Sequence, residues 1–243
     1  MSYVVKVEGL VKDFGDVRAL DGLSFHVRSG EVFGLIGPNG AGKTTALRII
    51  STLLIPTSGF VHVLNRNVVE EAADVRRLIS YLPEEAGAYK NLSGYEYLEF
   101  MAKLVVDTNE AVEEAVVAAA KITGLGARLK DKLKTYSKGM KRRVLVARVL
   151  MTKPKLAILD EPTSGLDVLH SVHVRGIIKR YVEEEDVTVL LSSHNMLEVE
   201  YLCDRVALIN LGKIVAEGSP NDLKKNADAS NLEEVFVKVV GIV

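Results

Sequence analysis

The chain of 243 residues carries 31 lysines and arginines against 32 aspartates and glutamates, a formal net charge of −1, with 48% hydrophobic and 26% charged residues. This is the mix of an ordinary globular protein of one or two domains, and the charge balance excludes a globally basic nucleic-acid binder and an acidic disordered tail alike. A single thiol, Cys203, excludes a disulfide scaffold and a cysteine metal site and makes the cytosol the default compartment.

In chain order, the first six residues lack a basic stretch ahead of an apolar one, so no secretory signal is expected. Short runs rich in Val, Phe and Ile at 3–10, 19–27, 31–36 and 59–64 predict strands. The longest uncharged stretch, 49–65, is broken by Pro56 and Gly59 and is too short to span a bilayer. Any membrane-spanning part must then come from another chain. After a strand at 79–82, residues 94–104 and 111–120 have helical composition. From Leu156 the pattern alternates: strand 156–159, helix 168–184, strand 187–191, helix 195–203, strand 206–209, which predicts a parallel sheet with crossover helices. Gly218-Ser219-Pro220 marks a turn, and 231–240 predicts an amphipathic helix. Cys203, set between Leu202 and Val206, is expected to be buried and inert.

Gly37-Pro38-Asn39-Gly40-Ala41-Gly42-Lys43-Thr44 fits the phosphate-loop pattern G-x-x-x-x-G-K-[ST], and it stands where that pattern requires, between a strand at 32–36 and a helix at 44–51. Glycines let the backbone wrap phosphate oxygens with its N–H groups turned inward, and the helix N-terminus adds a partial positive charge. Gly37 through Thr45 are the candidate ATP-binding residues; Lys43 is expected to reach the β- and γ-phosphates, and Thr44 to ligate Mg²⁺. Further on, Leu156-Ala-Ile-Leu-Asp160-Glu161 reads as a buried strand that delivers Asp160, a second metal ligand, at its carboxyl end. Glu161, one residue on, is placed to orient or deprotonate the attacking water.

With these motifs in place, the chain resembles the ATP-binding-cassette (ABC) ATPases. Tyr136-Ser137-Lys138-Gly139-Met140-Lys-Arg-Arg143 stands where that family has its L-S-G-G-Q signature, Ser164-Gly165-Leu166-Asp167 where it has its D-loop, and His194 where it has its switch histidine. The order and spacing cover residues 4–218. The resemblance implies an α/β fold: a P-loop NTPase core with a mainly parallel sheet, an N-terminal antiparallel β-subdomain and an inserted α-helical subdomain. It divides the single domain of 1–243 into a core at 1–83 and 153–218, a helical signature subdomain at 84–152 and a helical tail at 219–243.

The resemblance also implies ATP and Mg²⁺ as ligands and a head-to-tail homodimer or heterodimer, with two ATP molecules held between the phosphate loop of one chain and the signature of the other. Ser137, Lys138, Gly139, Met140 and Asp167 would then meet the partner's nucleotide, Phe14 would stack on adenine, and His194 would contact the γ-phosphate and support the Glu161-bound water. Asp167 also suits a cap for the helix from 168. Two departures stand out. Glu84 replaces the usual Gln after strand 79–82 and remains a candidate metal ligand through oxygen, while Lys138 and Met140 replace Gly and Gln in the signature. Both resemble exporter-type members with separate membrane subunits.

The implied function is ATP hydrolysis that energises an integral membrane permease, from the cytoplasmic face of the cell membrane. The alternative is a soluble ABC ATPase acting on DNA or ribosomes, disfavoured because only residues 45–135 separate phosphate loop and signature, without heptads. Arg128 to Arg143 holds eight basic residues and reads as a solvated helical face rather than a nucleic-acid patch, because it lacks interleaved aromatics. Tyr89, Tyr95, Tyr97, Phe100 and Met101 are either core of the helical subdomain or, by the resemblance, the surface that docks the permease.

Overall fold

The computed structural model describes residues 3–185 and 187–241; residues 1, 2, 186, 242 and 243, which fall in the expected core and tail segments, lie outside them. The elements run β1 (Tyr3–Phe14), β2 (Val17–Arg28), β3 (Val32–Ile36), α1 (Lys43–Ile50), β4 (Ser58–Val63), β5 (Arg66–Asn67), α2 (Ala72–Leu78), β6 (Ile79–Leu82), α3 (Gly94–Lys103), α4 (Asn109–Thr123) and α5 (Lys138–Leu150). There follow β7 (Leu156–Asp160), α6 (Val168–Glu185), β8 (Thr188–Ser193), α7 (Met196–Leu202), β9 (Arg205–Asn210), β10 (Lys213–Gly218), α8 (Pro220–Asn226) and α9 (Leu232–Val240). Two short 3₁₀ turns, Gly126–Lys130 and Leu133–Thr135, precede α5.

Two sheets organise the chain. The first is antiparallel, in the order β2-β1-β4-β5; the second, in the order β10-β9-β3-β8-β7-β6, is parallel throughout except for β10, which runs antiparallel to β9. The second sheet is covered on both faces, and its side chains sort by the two-residue period of a strand. Val32 and Ile36 of β3, Ala157 and Leu159 of β7, and Val206 and Leu208 of β9 join one core with α3, α4 and α5. Their alternates Phe33, Leu35, Ile158, Ala207 and Ile209 join a second core with α1 and the antiparallel sheet. A one-residue slip in register would exchange every one of these partners, so the buried faces fix the alignment of the strand ends that carry the site.

β1 and β2 run beyond the segments predicted as 3–10 and 19–27. Bulges between Val7 and Leu10 and between Leu10 and Lys12 break the alternation that marks a strand, while the backbone pairing continues to Phe14↔Val17. Cys203 is buried, as predicted, and burial pushes its thiol pKa well up.

The basic stretch Arg128 to Arg143 departs from its expected form. It spans two 3₁₀ turns and the start of α5 rather than one helix, and it is not a solvated face throughout: Arg128, Lys130, Lys132 and Lys134 are exposed, whereas Arg142 is only 7% exposed. Residues 144–147 and 149–150 of α5 are all buried, so this helix is core on most of its circumference.

Candidate functional site

The loop at 37–42 leaves β3 at the carboxyl end of the parallel sheet and turns directly into α1. Gly42 takes φ +107°, and a Cβ there would stand 2.7 Å from the Ala19 carbonyl oxygen, so only glycine fits. No side chain caps the first N–H groups of α1, which leaves them free for an anion. The loop borders a cavity of about 270 Å³ lined by Ala19, Asn39, Gly40, Gly42, Lys43, Thr44, Thr45, Glu84 and Glu161. Six residues of the predicted phosphate-loop segment, together with Glu84 and Glu161 from two other elements, therefore line one space.

Lys43 is 6% exposed, and its ammonium donates to the Gly37 carbonyl at 2.8 Å and the Pro38 carbonyl at 3.1 Å. It also lies 3.4 Å from Glu161 Oε1, and the other oxygen of that carboxylate, Oε2, meets His194 Nδ1 at 2.8 Å. A cation, a carboxylate and an imidazole thus form one chain of contacts running from the phosphate loop to the end of β8. Asp160, fully buried, accepts from Thr44 Oγ1 at 3.2 Å and Ser192 Oγ at 2.6 Å on Oδ1, and from the Tyr81 hydroxyl at 3.3 Å on Oδ2. Burial and the neighbouring Asp160 charge push the Tyr81 pKa up to about 12, so Tyr81 remains a proton donor to that carboxylate.

For a metal, the donor set is oxygen only. Among the described residues no group of three or more His, Cys, Asp or Glu is placed to hold an ion. Thr44 Oγ1 and Asp160 Oδ1, close together beside the phosphate loop, instead fit Mg²⁺, which takes one or two protein oxygens and completes its shell with phosphate and water.

The remaining predicted residues gather elsewhere. Ser137 caps α5 by accepting from Met140 N at 3.2 Å. Gly139 packs so closely on α6 that a Cβ would lie 1.9 Å from the His170 ring, and Lys138 Nζ reaches over Gly165. Asp167 accepts from His170 N at 2.9 Å and contacts His170 Nδ1 at 2.7 Å, which holds its carboxyl below the usual value and makes it the expected cap of α6. Phe14, at the end of β1, is 49% exposed and is not a core residue; the Lys12 ammonium stands 5.1 Å from its ring centre. The aromatic group divides: Tyr97 is buried in the core, while Tyr89, Tyr95 and Phe100 are exposed. Tyr89, Tyr97 and Met101 line a groove of about 370 Å³ with Gly87, Ala88 and Arg148.

Sequence reading missed the groups that hold this site in shape. The Arg142 guanidinium donates to the Pro162 carbonyl at 2.7 Å, the Glu84 carbonyl at 3.0 Å, the Asp160 carbonyl at 3.4 Å and the Glu161 carbonyl. Burial lowers its pKa against the opposing pull of Glu84, Asp160, Glu161 and Glu198. Glu198, 2% exposed, accepts from Thr163 Oγ1 at 2.5 Å and Ser193 Oγ at 3.2 Å, and burial raises its pKa. The one available signal for this frame was the pair Ser192-Ser193 at a strand end, where hydroxyls serve buried partners.

Residues 20–164 match the family described as ABC transporter. The linearmycin resistance ATP-binding protein LnrL of Bacillus subtilis (strain 168) is 38% identical over 220 residues, covering 90% of this chain and 70% of that protein. A solved ATP-binding subunit of an ABC transporter superposes with a TM-score of 0.85 at 27% identity, over 98% of this chain and 99% of that one. A dimeric ATP-binding cassette, MJ0796, in a post-hydrolysis state bound to ADP and Pi, superposes at 0.78 with 25% identity, over 88% of this chain and 98% of that one.

Proposed function

The chain belongs to the ABC transporter family of ATPases, and on that premise we propose that it is the engine of an exporter, hydrolysing ATP at the cytoplasmic face of a membrane to drive a separate permease. No helix among the described residues is long and apolar enough to cross a membrane, and in this reading the translocation path is supplied by a partner. The similarity to LnrL, a linearmycin resistance protein, and the Lys138 and Met140 variants of the signature support export. The exposed Tyr89, Tyr95 and Phe100 beside the groove at α3 supply an amphipathic surface for a permease segment.

The observation that carries the reading is the contact chain Lys43–Glu161–His194 at the start of α1. In this mechanism the triphosphate takes the N–H groups of the loop at 37–42 and of Thr44 and Thr45, and Lys43 exchanges Gly37 O, Pro38 O and Glu161 for phosphate oxygens. Glu161, released from the cation but still held by His194, orients the attacking water and accepts its proton. Thr44 and Asp160 would hold Mg²⁺, with Glu84 bordering the same cavity, and the ion would supply charge neutralisation at the phosphoryl oxygens. Phe14 stacks on the adenine. Ser137, Lys138, Gly139, Met140 and Asp167, gathered away from the chain's own phosphate-loop cavity, act on the nucleotide of a second cassette in a dimer like that of MJ0796. The division into a core at 1–83 and 153–218, a helical subdomain at 84–152 and a tail at 219–243 belongs to the same reading.

The test is Glu161→Gln. It retains ATP binding and accumulates as an ATP-bound dimer in size-exclusion chromatography, whereas hydrolysis at the parental rate would remove Glu161 from the mechanism.

A further inference from the structure

We propose that Arg142 is a positioning residue for hydrolysis: its guanidinium carries the placement of α5 to the backbone that holds Glu161. The inference rests on the ATPase reading above and adds to it a residue that touches neither nucleotide nor water.

Glu161 sits in the left-handed region at φ +48°, a conformation that disfavours any residue with a Cβ and persists only where surroundings enforce it. Its N–H is held by Ser192 Oγ at 3.0 Å. The carbonyls of residues 160, 161 and 162, one on each side of the strained residue and its own, all accept from Arg142, as does the carbonyl of Glu84 in the loop after β6. One rigid fork of N–H donors therefore joins three segments: α5, the turn bearing the general base, and the loop bearing Glu84.

A buried guanidinium spent wholly on main-chain carbonyls is costly unless geometry rewards it, because an apolar residue would fill the same space at less desolvation. Here the reward is specific. Arg142 is five residues from the Ser137 cap, about 7.5 Å along the same helix, so a shift of α5 at its exposed end moves the donors that fix Glu161. Lysine keeps the charge but supplies a single ammonium that cannot span four carbonyls. Both Arg142→Lys and Arg142→Gln thus loosen the turn while leaving the phosphate loop untouched.

The experiment compares ATPase kinetics and binding of a fluorescent ATP analogue in the full chain, in Arg142→Lys, in Arg142→Gln, and in Arg142→Gln combined with Glu161→Gln. The expected result is a fall in kcat on the order of 10–100-fold in each single variant, with analogue affinity within about threefold of the parent. In the Glu161→Gln background the Arg142 change lowers the residual rate by less than about threefold, since a residue acting through Glu161 has nothing left to position. Parental kcat in both single variants, a full additive loss in the double variant, or loss of analogue binding along with activity in both singles would each overturn the inference. A parental chain without ATPase activity would overturn the functional reading and this one with it; an active parent with unaffected variants overturns this one alone.

Discussion

Replacing Lys43 by methionine tests the central ion pair by its effect on folding. Lys43 Nζ stands 3.4 Å from Glu161 Oε1, and both side chains are 6% exposed. At an effective dielectric of about 20 the gross attraction at that distance is about 5 kcal/mol, and desolvation of both groups offsets much of it. Removing the cation alone leaves a buried carboxylate and two carbonyls, Gly37 O and Pro38 O, without their donor. Such a change typically costs about 3–5 kcal/mol, and the contact with His194 Nδ1 at 2.8 Å, which remains as a partner of the carboxylate, holds the cost near the lower figure. For a chain of this length about 3 kcal/mol lowers Tm by about 6–12 °C. The chain has no tryptophan, so calorimetry or far-UV circular dichroism without nucleotide is the assay. Lys43→Met/Glu161→Gln recovers on the order of 2 kcal/mol, because a neutral amide needs no cation. Adding MgATP at about 100 times Kd stabilises the parent by about 2.7 kcal/mol and leaves Lys43→Met unmoved. A Lys43→Met variant that melts with the parent, or a double variant whose losses simply add, would refute the pair as an energetic contact.

Two further outcomes follow from the geometry. Phe14→Ala weakens ATP binding about tenfold, the lower range for loss of one aromatic–base stack, without moving Tm, because the ring is half exposed; equilibrium titration and a melt check both. Glu198→Gln gains stability relative to the parent as pH rises. Burial puts the folded carboxyl above its ordinary 4.5, so the native state binds the extra proton and the parent loses stability as pH climbs from 4.5 through the folded value. The amide removes that slope, and the variant's advantage grows across this window and then levels; denaturant unfolding at a series of pH values reads it, and a constant difference would refute the assignment.

Much of the fold is legible because its strands are short apolar runs at the centre of a sheet covered on both faces. β3, β7, β8 and β9 are almost wholly buried, and their predicted bounds hold to within about two residues. β10 went unseen because as an edge strand it is half exposed and reads Lys-Ile-Val-Ala-Glu-Gly, with no apolar run. The helices α2 and α8, seven residues each with one or two buried side chains, leave too little periodicity to detect. The candidate site divides in the same way. Lys43, Thr44, Asp160 and Glu161 lie in contiguous motifs whose chemistry requires those residue types in that order. Arg142 makes its contacts across 18 to 58 residues of sequence and Thr163 meets Glu198 across 35, so nothing local distinguishes Arg142 from the solvated lysines before it.

The distribution of these two classes follows from the task proposed for Glu161, that of a general base. A carboxylate that first pairs with Lys43 and then serves a water must change partners without changing position. The left-handed turn at Glu161 would relax if only that partner held it, since its strain is about 1–2 kcal/mol. Arg142 on the carbonyl side and Ser192 on the N–H side contribute charge-assisted and neutral hydrogen bonds worth about 1–3 kcal/mol each, which exceeds the strain several times over. Ser192 also donates to Asp160, so Glu161 and the candidate metal ligand share one hydroxyl, which in the proposed mechanism keeps their separation when Lys43 leaves. In that mechanism the motif residues carry the exchange of partners, and the non-local polar frame, invisible to pattern reading, keeps that exchange from moving the atoms that react.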